Sequence, residues 1–434
     1  MEKNLNSLIR SIFYIAVPMI LSNVSAPLLG LVDTAIVGRI GTTEIGSVAI
    51  GATTFSLIFS SFVFLRICTT GYIAQSWGSK NTAEAENIIQ KTISISVACG
   101  LFVILLSIPL KGFFLLLLGP SYEIRSLAES YINIRFWSAP AVFLTYVILG
   151  SLIGSNKPFH VVTITVFTNL VNVFLDLIIG VVLGYGVVGI AIGTLISEWS
   201  GAILGIVIIK QVFPKFKLFS FNLKFSQLIK KMILSNIDFF IRTILLLTSI
   251  MLFTAIGARI SDLILAVNSI LILLQMFLSY GIDGFAQAAE VLVGNAYGSK
   301  NKSALKRVIL ITGLISFIVA LLYSLVYFFL GINIVNLITN IDEVIDASKH
   351  YLPWIVISPI ISFLSFHLDG VFIGAARTRV MRNAMLTSFI IYLFAIILLV
   401  PVLENHGLWI AFLIFLLFRG VTLAVKLKSI ISIK

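Results

Sequence analysis

Charge is what this chain has least of. Only 11% of its 434 residues are Asp, Glu, Lys or Arg, against roughly 25% in soluble domains, and that scarcity excludes a water-soluble globular protein. Two cysteines make neither a disulfide framework nor a metal site. Cys68 and Cys99 fall in or near apolar stretches, where a free thiol behaves as a small core residue. Four scattered histidines, with no HExxH and no CxxC, offer no metal or nucleophile cluster for a membrane enzyme.

Apolar side chains fill the space that charge leaves. The chain is 59% hydrophobic with a mean hydropathy of +1.10. A membrane span needs about 20 apolar residues. By that ruler there are twelve candidates: 11–38, 45–72, 92–118, 127–153, 161–183, 187–209, 232–256, 262–292, 307–332, 349–371, 383–403 and 406–425. Helices are expected, since a barrel would show short alternating segments. The fold class is therefore an all-α membrane protein. The first apolar stretch runs on into a full span, so a cleavable signal is not expected.

The net charge of +12 would suit a nucleic-acid partner if it were evenly spread. It is not. With the N-terminus in the cytoplasm, 21 Lys and Arg fall in cytoplasmic segments and 5 on the opposite side. Four more, Arg66, Arg135, Arg242 and Arg419, lie within spans. This asymmetry is the positive-inside pattern of a multi-pass cell-membrane (inner-membrane) protein with both termini cytoplasmic. No nucleic acid is needed to explain it.

Shifted by 220 residues, the chain matches itself. "WGSKN" at 77–81 meets "YGSKN" at 297–301, "GSLIGS" at 150–155 meets "GVFIGA" at 370–375, and Arg39-Ile40 meets Arg259-Ile260. The expected organisation is an N-terminal six-helix lobe, 1–209, a linker, 210–231, and a C-terminal six-helix lobe, 232–434. Six spans per copy put both lobes the same way up, related by a pseudo-two-fold axis along the membrane normal. The linker is basic and interleaved with Phe and Leu, as expected of a segment lying on anionic membrane lipids. Two equivalent rigid bodies suit alternating access, and a transporter is favoured over a receptor or an enzyme.

The copies differ where the first carries acids. Asp33 is matched by Phe253 and Asp176 by Ile396, so neither acid is needed to build the fold. A carboxyl at mid-membrane costs about 2.5–3.5 kcal/mol on insertion scales and marks a functional site by default. In a dry site it is cheapest when protonated, which suits a group that loads and releases protons. On the fifth span Thr165, Asn169, Asn172 and Asp176 recur at spacings of 4, 3 and 4 and share one helix face. Thr194 on the next span completes the cluster. In the first span Pro27 removes a backbone hydrogen bond and Gly30 adds freedom one turn before Asp33, so a bend beside the acid is expected. Asp238 and Arg242, i and i+4, are expected to neutralise each other. Arg66, Arg135, Arg419 and Glu198 read as snorkelling or paired groups. Asp283, Glu290 and Asp369 form either a C-lobe cation site or buried ion-pair partners.

The motifs "AVPMILSN", "LVDTAIVGRIG", the paired "WGSKN" and "YGSKN", "NLVNVFLD" and "LDGVFIGAARTRVMRN" together resemble the multidrug and toxic compound extrusion family. Within it they are most similar to the bacterial branch named for DNA-damage-inducible protein F. The resemblance covers essentially the whole chain. It implies a two-lobed bundle of twelve helices that expels organic cations in exchange for H⁺ or Na⁺, with no other cofactor and as a monomer. It assigns proton coupling to Asp33, the bend to Pro27, and the N-lobe polar cluster to Asn172, Asp176 and Thr194. Other branches place a cation-binding acid pair in the C-lobe; its register with Glu290 or Asp369 is left open, and with it the choice of H⁺ or Na⁺. The alternative on the same fold is a flippase for a lipid-linked sugar, which calls for cavity Arg or Lys rather than acids and amides.

Overall fold

The computed structural model describes residues 5–38, 41–216 and 227–432, with side chains at 26, 27, 31 and 227–229 left aside. Among these residues every regular element is helical. The first half comprises α1 (Leu5–Val37), α2 (Thr42–Gly78, interrupted at Phe62 and Val63), α3 (Thr82–Leu105 continuing as Ser107–Leu118), α4 (Tyr122–Gly154, with a 3-10 turn at Phe136–Ser138), α5 (Pro158–Val182) and α6 (Gly186–Val212). The second comprises α7 (Gln227–Ile260), α8 (Asp262–Gly298), α9 (Lys302–Ile338) and α10 (Asp342–Gly374). A last helical run, Thr378–Lys426, is broken by non-helical Glu404 (φ 49°, ψ −124°) into α11, 378–403, and α12, 405–426. All twelve expected spans are present. At 37 residues, α8 and α9 are each about 55 Å long, well over the roughly 30 Å of a bilayer core.

The 220-residue offset extends to the element ends. α2 and α8 end at Gly78 and Gly298, α3 and α9 at Leu118 and Ile338, and α4 and α10 at Gly154 and Gly374. The repeated GSKN is a helix stop followed by a helix start. Lys80 and Lys300 take left-handed φ of 57° and 55°. Asn81 N–H donates to Ser76 O (2.9 Å) and Asn301 N–H to Ala296 O (3.1 Å), closing Schellman motifs. Asn81 and Asn301 then cap the next helices, accepting from the backbone N–H of Glu84 and Ala304. The repeated "GSLIGS" and "GVFIGA" carry GxxxG on α4 and α10. A Cβ on Gly154 would come 2.7 Å from Thr70 O, and Gly374 stands against Glu290 O in the same way. Small residues there let the α2–α4 and α8–α10 backbones touch.

By contacts the chain divides into an amino-terminal unit, Leu21–Met232, and a carboxy-terminal unit, Met1–Ile20 with Ile233–Lys434. Residues 5–20 thus group with the second half of the chain, where the sequence boundaries had placed them with the first. The reason is packing on α8. Phe13 meets Phe285 edge-on at 5.6 Å, and Gly284 leaves room for Ala16 O, 2.9 Å from where a Cβ would stand. Much of the basic linker, 217–226, lies outside the described residues.

Each unit has its own interior. In the carboxy-terminal unit Phe253, fully buried, packs on Trp409 at 4.9 Å and Phe412 at 5.2 Å. Around them stand Tyr392, Ile355, Leu413 and Phe415. The helices of the amino-terminal unit are more interrupted than those of the other. Besides the breaks in α2, α3 and α4, α5 changes to π-helix over Asp176–Val182, beginning at the acid itself. Single π turns inside α-helices are frequent at functional sites.

Candidate functional site

The polar stripe on α5 faces protein. Thr165 Oγ1 meets Ser22 Oγ of α1 at 3.1 Å, and Asn169 Nδ2 donates to Ser25 O at 3.5 Å. One turn on, Asn172 Nδ2 donates to Asp176 Oδ2 and to Thr194 Oγ1 of α6, each at 3.2 Å. Asn172 and Asp176 are fully buried. The structure thus joins Asn172, Asp176 and Thr194 in one cluster and ties Thr165 and Asn169 to α1.

Asp33 lies half-buried on α1. Among the described residues its Oδ1, Asp176 Oδ1 and Asn172 Oδ1 are buried without a hydrogen-bond partner. Buried carboxyl oxygens left unsatisfied are costly, so such atoms call for a functional account. Asp33 and Asp176 lie within electrostatic reach of each other and of Arg135 on α4. Tyr131, one turn before Arg135, senses both acids, Arg135 and Glu198.

α1 is helical through Pro27 and Gly30, and the Pro27 side chain is outside the described residues. A Cβ on Gly30 would meet nothing within 4 Å, so close packing does not explain the glycine. Thr34 Oγ1 donates to Gly30 O at 2.8 Å and Ser25 Oγ to Ser22 O at 2.7 Å, back-bonds that favour bending.

Two features escaped the sequence reading. Gly193, beside Thr194, has no side chain because the space is taken by Asp176 Oδ1. And Arg135 Nη1 donates to Glu198 Oε2 of α6 at 2.5 Å and to Ser138 Oγ at 2.9 Å. No spacing rule links residues 63 positions apart, so only their shared placement in apolar spans hinted at the pair.

The carboxy-terminal charges pair differently from expectation. Asp238 does not neutralise Arg242. It accepts from Arg382 Nη1 at 2.6 Å and from Thr378 Oγ1 at 3.4 Å, while Arg242 bonds Asp369. Arg419 also bonds Asp369, at 2.8 Å. Of the two readings open for Asp369, the structure shows the ion-pair partner. Among the described residues no group of three or more His, Cys, Asp or Glu is placed to hold a metal.

The duplicate positions give the decisive contrast. In register, Asp33, Asn172 and Asp176 correspond to Phe253, Tyr392 and Ile396. All three belong to, or pack against, the closed hydrophobic cluster of the carboxy-terminal unit. One scaffold carries an acidic polar site in one copy and a filled aromatic core in the other.

A duplicated multi-span membrane protein with an acidic site in one copy is the class these observations define. The MatE family model matches twice, over residues 18–178 and 239–399, once per repeat. The chain is 35% identical over 418 residues to DNA damage-inducible protein F of Escherichia coli strain K12, covering 96% of this chain and 91% of that one. It is 22% identical over 382 residues to the multidrug export protein MepA of Staphylococcus aureus strain MW2, covering 85% and 82%. A crystal structure of a MATE protein in the bent conformation shares the fold with a TM-score of 0.90 at 19% identity, covering 98% of this chain and 96% of that one. The protein belongs to the MatE family, and it is a membrane transporter rather than an enzyme.

Proposed function

We propose that this protein is a secondary antiporter that exports small organic cations in exchange for protons across the inner membrane. In this reading it works as a monomer, with both termini cytoplasmic and no cofactor beyond the coupling ion. The observation that carries the reading is the pair of carboxyls, Asp33 and Asp176, each with a buried, unpartnered oxygen, at positions the duplicate fills with Phe253 and Ile396.

Deprotonated, the two acids hold a cation beside the amides of Asn169 and Asn172 and the Thr194 hydroxyl. Protonation removes that negative charge and releases the passenger. Because proton and cation compete for one site, exchange follows from linkage alone. The charge change at Asp33 acts on a helix freed at Pro27 and Gly30, which moves between straight and bent forms. Na⁺ in place of H⁺ is the alternative coupling ion. A flippase for a lipid-linked sugar or other amphipath needs an uncompensated cavity cation for a pyrophosphate; Arg135 is matched by Glu198, which leaves Arg66 to supply it.

The test is efflux of a fluorescent cation from proteoliposomes under separately imposed pH and Na⁺ gradients, comparing wild type with Asp33→Asn. A pH gradient alone should drive efflux, and Asp33→Asn should abolish it. Full efflux by the variant, or drive by Na⁺ alone, would overturn the reading.

A further inference from the structure

We propose that Glu198 is a specificity-determining residue of the acidic site: by holding Arg135 it keeps a built-in cation from occupying Asp33 and Asp176, and so reserves them for a cationic passenger. The proposal rests on the cation-exchange reading above and adds to it a residue that sets which charge the site accepts.

The argument starts from charge balance. The groups facing this region are Asp33 on α1, Arg66 on α2, Tyr131, Arg135 and Tyr146 on α4, Asp176 on α5 and Glu198 on α6. Arg135 is the fixed cation within reach of both aspartates. It is 6% exposed, with its guanidinium 5.3 Å from the Phe55 ring centroid and 5.8 Å from that of Phe59. In such a place its charge must be balanced by a carboxylate. Glu198 lies one turn beyond Thr194 and takes that role at 2.5 Å. With Arg135 bonded to Glu198, neither aspartate is tied to a fixed counter-ion among the described residues, and both are open to exchangeable cations. Were Glu198 neutral, the acids left within electrostatic reach of Arg135 would be Asp33 and Asp176 themselves.

The fold does not require the pair. Arg135 corresponds in the duplicate to Ile355, buried in the apolar cluster, and α12, the counterpart of α6, carries no acid. The same bundle is therefore built without either charge. Arg135 also keeps a buried Nε without a hydrogen-bond partner among the described residues, so its bonding is incomplete even with Glu198 in place.

The experiment is equilibrium binding, to purified protein in nanodiscs, of a trimethylammonium dye and its neutral tert-butyl isostere. Glu198→Gln should weaken binding of the cationic dye about tenfold, roughly 1.4 kcal/mol, and leave the isostere unchanged. Arg135→Gln should move the cationic dye the other way, to tighter binding. The double variant and Glu198→Asp should bind within about threefold of wild type. A merely structural pair would make both single variants lose affinity, for both dyes alike, and that result overturns the proposal. Opposite signs cannot come from misfolding, and Arg135→Gln alone decides the matter should Glu198→Gln fail to fold. Asp33→Asn separates the two levels. Unchanged cation binding in that variant sinks the exchange reading, whereas its loss without any effect of Glu198→Gln or Arg135→Gln sinks only the role of Glu198.

Discussion

Asp33 and Phe253 occupy the same register position in two copies of one helix, and their surroundings are opposite. Phe253 is fully buried among Trp409 and Phe412; Asp33 carries a buried oxygen with no partner among the described residues. Truncating Phe253→Ala should cost about 3–5 kcal/mol, as large-to-small changes in packed cores do. Asp33→Asn removes no described hydrogen bond and should change stability by no more than about 1 kcal/mol. Thermal unfolding in detergent, measured beside transport, should show stability lost in the first variant and transport lost in the second.

Gly193→Ala tests the cluster by geometry rather than charge. The new methyl would stand where Asp176 Oδ1 now lies, so the carboxyl must turn away from Asn172. Overpacking of this kind costs about 1–3 kcal/mol, and cation affinity should fall with it. Binding titrations that matched wild type would show that the Asp176 position is not needed.

Gly30→Ala isolates flexibility. The site has room for a methyl, and replacing a mid-helix glycine favours the helix by up to about 1 kcal/mol. The variant should be as stable as wild type or more so, with slower turnover and unchanged cation affinity. Turnover equal to wild type would remove Gly30 from the hinge.

Asp369→Asn would leave Arg242 and Arg419 facing each other without their shared carboxylate. Removing one partner of a buried ion pair costs about 3–5 kcal/mol. The expected result is poor folding, seen as early aggregation on heating, with transport per folded molecule unchanged. A well-folded variant that had lost Na⁺ dependence would instead restore a cation role for Asp369.

Most of the fold was legible in the sequence because its signals are local or repeated. Hydropathy located the spans, and the paired GSKN marked the repeat whose helix turns and caps the structure shows. Asp33, Asp176 and the α5 stripe were visible because a polar side chain in an apolar helix stands out at any spacing. The misassigned pair at Asp238 and Arg242 shows where this reasoning stops. The i, i+4 rule applies to neighbours on one helix, but cross-helix partners at Arg382 and Asp369 took the two charges instead. Gly193 carried no signal at all, since a glycine's reason lies in what fills the space beside it.

The sequence by itself determined the membrane class, the twelve spans, the duplication and the copy in which the acids lie. Each of these follows from composition or from periodicity along one chain. Only the tertiary structure decided which charges neutralise one another: Arg135 with Glu198, Asp369 with two arginines, Asp238 with Arg382. Those pairings depend on which helix faces meet across the bundle, and no distance along the chain encodes that.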